Sequence, residues 1–149
     1  MEKIFVSKSE ADTGALAEKL AAISVQGDVW ALNGTLGAGK SVFARAFIKK
    51  LTGARDVPSP TFTLLQTYSA AAFDIYHYDL YRLEKPAEIF ELGVEEAFYS
   101  GVSLVEWPER MGSFSPRNMW QVKIEMTPEG RKITVSTEDV NKLKRLENV

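Results

Sequence analysis

Residues 29–41 read Val29-Trp30-Ala31-Leu32-Asn33-Gly34-Thr35-Leu36-Gly37-Ala38-Gly39-Lys40-Ser41, and the fold is decided here. Val29 to Leu32 is a continuous apolar run of strand length, the pattern of a strand covered on both faces. Gly34 to Ser41 then matches G-x-x-x-x-G-K-[S/T] in full. At ordinary residue frequencies a given start matches with probability about 4 × 10⁻⁵, so roughly one chain in two hundred carries the pattern by accident. Context narrows that further. From Lys40 a helical pattern runs to about Leu51, placing Phe43, Phe47 and Leu51 on one buried face, with Gly53 positioned to end it. Strand, glycine loop and helix in this order form a phosphate-binding loop.

The spacing has a physical reason. Glycines let successive backbone N–H groups turn toward one anion where side chains would obstruct. The helix start adds unpaired donors and a partial positive charge at the same spot. Lys40 is placed to reach the β- and γ-phosphates, and Ser41 to offer its hydroxyl to Mg²⁺.

Outward from the loop, the chain alternates strand and helix patterns early and turns to hairpins later. Lys3–Ser7 reads as a strand. Ser9, with Asp12 three residues on, opens a helix whose buried stripe is Leu16, Leu20 and Ile23. Gln26-Gly27-Asp28 is a turn. Pro58-Ser59-Pro60 forces an extended loop. Phe62–Tyr68 and Phe73–Leu80 read as an antiparallel strand pair, with helices over Ala87–Leu92 and Val94–Tyr99. Val102-Ser103-Leu104-Val105 is a short buried strand ending on Glu106. Trp120–Met126 and Arg131–Ser136 flank the hairpin turn Thr127-Pro128-Glu129-Gly130, and the tail from Glu138, around Val140, Leu143 and Leu146, reads as a surface helix. These patterns predict an α/β fold: one P-loop NTPase-like three-layer domain over residues 1–149, with a mixed parallel/antiparallel sheet and a C-terminal β-hairpin.

Composition sets outer bounds. Of 149 residues, 45% are apolar and 26% charged, the proportions of an ordinary globular domain. The formal charge of −2 argues against a chain whose main task is gripping nucleic-acid backbones. With no cysteine and one histidine, disulfide frameworks, thiol catalysis and zinc-thiolate or multi-histidine sites are excluded. The apolar runs are far shorter than the ~20 residues of a membrane span, and the N-terminus lacks the apolar core of a signal peptide. A cytoplasmic protein with no membrane partner is the expectation.

A Mg²⁺-nucleotide site also needs a carboxylate near Ser41, supplied from the end of a neighbouring strand. Glu106 and Asp79 both end strand patterns. Ser59-Pro60-Thr61 is a stiff segment carrying two hydroxyls, of the kind that senses a γ-phosphate in switch-type NTPases. Trp107, beside Pro108, either plugs the core or senses closure. His77 alternates onto the face of Asp79, and a lone strand histidine reads as packed or surface-exposed before it reads as catalytic.

Four segments occur in one order: Gly-Ala-Gly-Lys (37–40), Ser-Pro-Thr-Phe (59–62), Asp-Leu-Tyr-Arg (79–82) and Glu-Trp-Pro-Glu (106–109). Jointly they are specific, and with them the chain resembles the TsaE family from about Ser9 to Ser136. That resemblance implies a small bacterial P-loop ATPase serving threonylcarbamoyladenosine modification of tRNA. Its partners would be TsaD, which performs the transfer, and TsaB, so that tRNA is met only indirectly. ATP hydrolysis would drive or reset that pair, with ATP and Mg²⁺ as cofactors. Carried over by motif, Thr35, Leu36, Gly37, Ala38, Gly39, Lys40, Ser41 and Val42 line the phosphates. Thr13, in the Ser9-x-x-x-Thr stretch, and Arg131 approach the nucleotide. Ser41, Glu106 and Asp79 are the metal candidates, and Lys40, Asp79 and Glu106 the catalytic ones. Ser59, Thr61 and Trp107 lie on segments that respond to nucleotide and face the partner. Two positions depart from the family pattern: Thr35 stands where an acid is common, and Ser41 where Thr is usual. Both keep the chemistry, since backbone amides do the cradling and either hydroxyl binds Mg²⁺.

Other readings are a GTPase, a small-molecule kinase and a nucleotide-gated binding module. The guanine-reading pattern Asn-Lys-x-Asp is missing its acid at Asn141-Lys142-Leu143-Lys144. Kinases of this class clamp the transferred phosphate with several lid arginines, and residues 82–117 hold only Arg82, Arg110 and Arg117, none adjacent. Paired acids at strand ends favour turnover over mere binding.

Overall fold

Ser9 starts the first helix by the mechanism its position predicts. Its hydroxyl accepts the N–H of Asp12 at 3.1 Å, and the Asp12 carboxylate in return accepts the N–H of Lys8 at 2.9 Å. In the computed structural model, which describes residues 2–60 and 63–149, strand β1 spans Glu2–Ser7, helix α1 Glu10–Ala22, β2 Val29–Asn33 and α2 Lys40–Thr52. Strands β3 (Leu65–Ser69) and β4 (Asp74–Asp79) follow, then α3 (Val94–Ser100), β5 (Val102–Glu106), β6 (Trp120–Thr127), β7 (Gly130–Ser136) and α4 (Val140–Leu146). Gly53 ends α2 in the left-handed conformation, its N–H donating to the Lys49 carbonyl at 2.8 Å.

Among the described residues seven strands form one sheet, in the order β1-β7-β6-β2-β5-β4-β3. The four central strands β6, β2, β5 and β4 are mutually parallel, while β7, β1 and β3 pair antiparallel at the flanks. The apolar runs of β2 and β5 lie at the centre, where both faces are covered, as their unbroken hydrophobicity requires. Alternation along β2 sends Trp30 and Leu32 to the layer under α1 and α2, and Val29 to the opposite layer with Val105, Tyr78 and α3. Trp30 also stacks on its register partner Trp120, centroids 4.5 Å apart and planes 4° off parallel. The expected mixed α/β sheet is present, and Thr127 pairs with Gly130 across the C-terminal hairpin turn.

Several boundaries differ from the sequence reading. The segment expected as a helix over Ala87–Leu92 is a 3-10 helix, Pro86–Leu92, with proline at its first position and left-handed Gly93 at its end. A second 3-10 segment, Pro108–Phe114, broken at Gly112, had no periodicity to announce it. The strand expected to begin at Phe62 begins at Leu65, with Phe62 outside the described residues. Ile23 and Leu51 are only partly buried, at the ends of their helices. The tail is not simply a surface helix: Leu146 joins the main core, and the Arg145 guanidinium grips Asp28 with a two-pronged contact at 2.6 and 2.9 Å. No helix among the described residues is long and apolar enough to cross a membrane.

The Asp28 carboxylate is buried and also accepts the Val25 N–H at 2.9 Å, while Arg145 keeps 25% of its side chain in water. Arg145→Ala strands that carboxylate, but solvent at the arginine end moderates the loss. The expected outcome is a destabilisation of about 1–3 kcal/mol, seen as a lower urea midpoint with unchanged slope.

Candidate functional site

The loop after β2 turns back on itself through the Ala38 N–H, which donates to the Thr35 carbonyl at 3.0 Å. Gly37 and Gly39 then take φ of +81° and +118°, a region closed to most L side chains. A side-chain carbon added at Gly39 would meet nothing within 4 Å. Glycine is therefore required at this position by its backbone conformation and not by crowding. Helix α2 begins directly after Gly39 with no side-chain cap and no acid in its first turn. Its leading N–H groups are therefore left for an external anion.

The hollow, about 270 Å³, is lined on the loop side by Leu36, Gly37, Gly39, Lys40, Ser41 and Val42. Its other wall is Ser59, Asp79, Glu106 and Trp107. The sheet explains that wall. Asp79 and Glu106 are register partners at the carboxyl ends of β4 and β5, and Glu106 is in turn the partner of Leu32 on β2, just before the loop. Both acids fall on the face of the sheet that packs under α2, because Ile75 and Leu104, at even spacing from them, belong to that layer. Lys40, Asp79 and Glu106 are all buried.

Electrostatics follow from that burial. Desolvation lowers the Lys40 ammonium from its ordinary range, and the carboxylates of Glu106, Asp79 and Glu109 partly oppose the shift. The Lys40 Nζ sits 3.8 Å from the centroid of the Trp107 ring. Trp107 itself holds φ +59°, a strained conformation for a bulky residue, and rests against Tyr81 at 4.9 Å. Asp79 Oδ1 accepts the Tyr81 N–H at 3.1 Å.

A second hollow, about 210 Å³, lies on the other side of the same loop and shares Gly37, Gly39 and Val42 with the first. Thr13 and Arg131 line it together with Ala38, which joins the α1 start and the β7 start to the loop. Thr13 Oγ1 is 2.6 Å from Ser7 Oγ. Arg131 donates from Nε to the Ala38 carbonyl at 2.7 Å and from Nη2 to the Gly37 carbonyl at 3.4 Å.

The structure thus brings together every sequence-predicted site residue it describes, with one exception of placement. Thr35 lines neither hollow and contributes through its carbonyl. Thr61 lies outside the described residues. His77, read from the sequence as packed or surface-exposed, is a site neighbour: its Nε2 lies 2.7 Å from Glu106 Oε2. The signal was its two-residue spacing from Asp79. Among the described residues no three His, Cys, Asp or Glu side chains form a metal cage. A serine hydroxyl and two strand-end carboxylates around one hollow are instead the all-oxygen donor set that suits a cation shared with phosphates, so the residues present fit Mg²⁺.

A glycine loop between a central parallel strand and a helix start, facing acids on neighbouring strand ends, defines a P-loop NTPase-like α/β protein. Residues 7–133 match the profile of the family described as threonylcarbamoyl adenosine biosynthesis protein TsaE. A tRNA threonylcarbamoyladenosine biosynthesis protein TsaE from Rickettsia felis is 42% identical over 131 residues, covering 87% of this chain and 77% of that one. Its Bacillus subtilis counterpart is 40% identical over 115 residues, 76% of this chain and 72% of the relative. The crystal structure of Bacillus subtilis YdiB superposes with a TM-score of 0.80 at 30% identity, covering 99% of this chain and 92% of the other. The chain belongs to the TsaE family.

Arg131 braces the loop through carbonyls alone, and each neutral-acceptor bond of this kind contributes about 1 kcal/mol. Arg131→Ala should speed deuterium exchange of the loop amides between Thr35 and Lys40 roughly fivefold or more, while amides in β2 keep their protection. Equal exchange in variant and parent would show that the loop is held without it.

Proposed function

We propose that this chain is a small cytoplasmic ATPase that binds Mg-ATP and hydrolyses it slowly to drive or reset a TsaD–TsaB complex during threonylcarbamoyladenosine modification of tRNA. The observation that supports this most is the single hollow in which an uncapped helix start, Lys40 and two buried strand-end acids face one another. Family membership supplies the pathway, and the resemblance supplies the partners. The near-neutral charge of the chain is consistent with meeting tRNA only indirectly.

In this reading the amides of Gly37 to Lys40 bind the phosphates, and the Lys40 ammonium neutralises the β and γ groups. Ser41, Glu106 and Asp79 would hold Mg²⁺, which when bound would supply positive charge beside the phosphate oxygens. Glu106, desolvated at the end of β5, orients the attacking water and accepts its proton. Thr13 and Arg131, on the far side of the loop, bind the remainder of the nucleotide. Ser59, Thr61 and Trp107 belong to the segments that respond to the nucleotide and face the partner.

Lys40→Ala should weaken Mg-ATP binding about 10- to 150-fold, the value of a hydrogen bond to a charged group. Unchanged affinity in the folded variant overturns its role. Glu106→Ala should leave ATP bound and cut hydrolysis by about 100-fold or more. Labelled γ-phosphate must appear as free phosphate; label on an organic acceptor means a small-molecule kinase instead. A pull-down with TsaD and TsaB, with and without ATP, tests the partner assignment, and failure to retain either protein in both conditions refutes it.

A further inference from the structure

The one histidine of the chain lies on β4, two residues before Asp79 and on the same face, against the layer under α2. It is buried, and its Nε2 is 2.7 Å from Oε2 of Glu106. A carboxylate only accepts, so Nε2 carries the hydrogen and donates it. The other ring nitrogen, Nδ1, is buried with no hydrogen-bond partner among the described residues. That combination is costly for a residue whose task is filling space. Leucine or methionine would occupy the same wall without leaving a buried polar atom unpaired.

What the imidazole does is hold one oxygen of the Glu106 carboxylate. The β5 backbone fixes the Cα of Glu106, but three side-chain torsions separate that Cα from the oxygens. His77 is paired with Leu104, two residues before Glu106 on the neighbouring strand and on the same face. Its ring therefore reaches diagonally forward from rigid sheet to the end of the Glu106 side chain. With Oε2 tethered in this way, the plane of the carboxylate lining the hollow is set before any ligand enters.

We propose that His77 is a positioning residue for Glu106, acting through its Nε2–H bond on the rate of hydrolysis and not on the capture of nucleotide. This rests on the ATPase reading above. His77→Leu fills the space without a donor, whereas His77→Gln carries an amide N–H to the place of Nε2. The expected result for His77→Leu is a kcat reduced about 10- to 100-fold, as for loss of supporting partners around other catalytic groups, with the Kd for Mg-ATP within about twofold of the parent. His77→Gln should recover most of the lost kcat at the same Kd.

A second readout needs no nucleotide. Because the chain has a single histidine, its imidazole N–H resonances are assigned without ambiguity. The Nε2 proton should be visible and shifted downfield in the ligand-free protein, and should return toward the free-imidazole position, or vanish by exchange, in Glu106→Ala. The proposal is overturned by an unchanged kcat in His77→Leu, by a parallel loss of kcat and affinity, by a His77→Gln variant as slow as His77→Leu, or by an imidazole proton indifferent to Glu106. Should His77→Leu fail to fold, His77→Gln and the proton resonance still decide. A parent protein that does not hydrolyse ATP removes the activity reading and this inference with it. A hydrolysing parent beside an unaffected His77→Leu removes this inference alone.

Discussion

A buried ammonium and two buried carboxylates within one hollow are the constraint on which the molecule depends. Burial lowers the Lys40 ammonium from its ordinary range while the nearby carboxylates oppose that shift. The three groups can meet only because the chain brings three distant strand ends to one edge. Lys40 rides on the first turn of α2, Glu106 ends the central strand β5, and Asp79 ends β4 beside it. Parallel pairing is what allows this. Strands running the same way present all their carboxyl ends on one side, where an antiparallel set would scatter them.

The rest of the architecture can be understood as support for that edge. Antiparallel strands flank the four parallel ones, so every site-bearing strand has neighbours on both sides. The Trp30–Trp120 stack ties β2 to β6 beneath the loop, and Arg145 lies over Trp120 at 5.5 Å while gripping Asp28. The short helix α4 thus secures the start of the strand that leads into the glycine loop. Arg131 works from the opposite side, reaching from the hairpin to the loop carbonyls.

What could be read from the residues was what chemistry writes locally. The loop pattern, the Ser9 cap, the Gly53 stop and the hairpin turn each depend on side chains a few positions apart, and all are found. Glu106 and Asp79 were legible for the same reason, as acids closing apolar runs. The order of the strands was not, because it is settled by packing between segments far apart in the chain. Nor was the contact between His77 and Glu106, separated by 29 positions: alternation put the histidine on the right face, but only the sheet register shows what it faces. The 3-10 segment after Trp107 has neither a period of two nor of 3.6, so it left no trace in the hydrophobic pattern.

Lys40 does not wait in open water. Its charge rests on the electron-rich face of Trp107, an arrangement that contributes on the order of 2 kcal/mol where solvent is scarce. In the proposed function a polyanion drawn to this lysine would compete with an aromatic face, so affinity would be a net quantity, the gain at the cation less the contact forfeited. Losing that contact would bear on the ring surface that Trp107 shares with Tyr81.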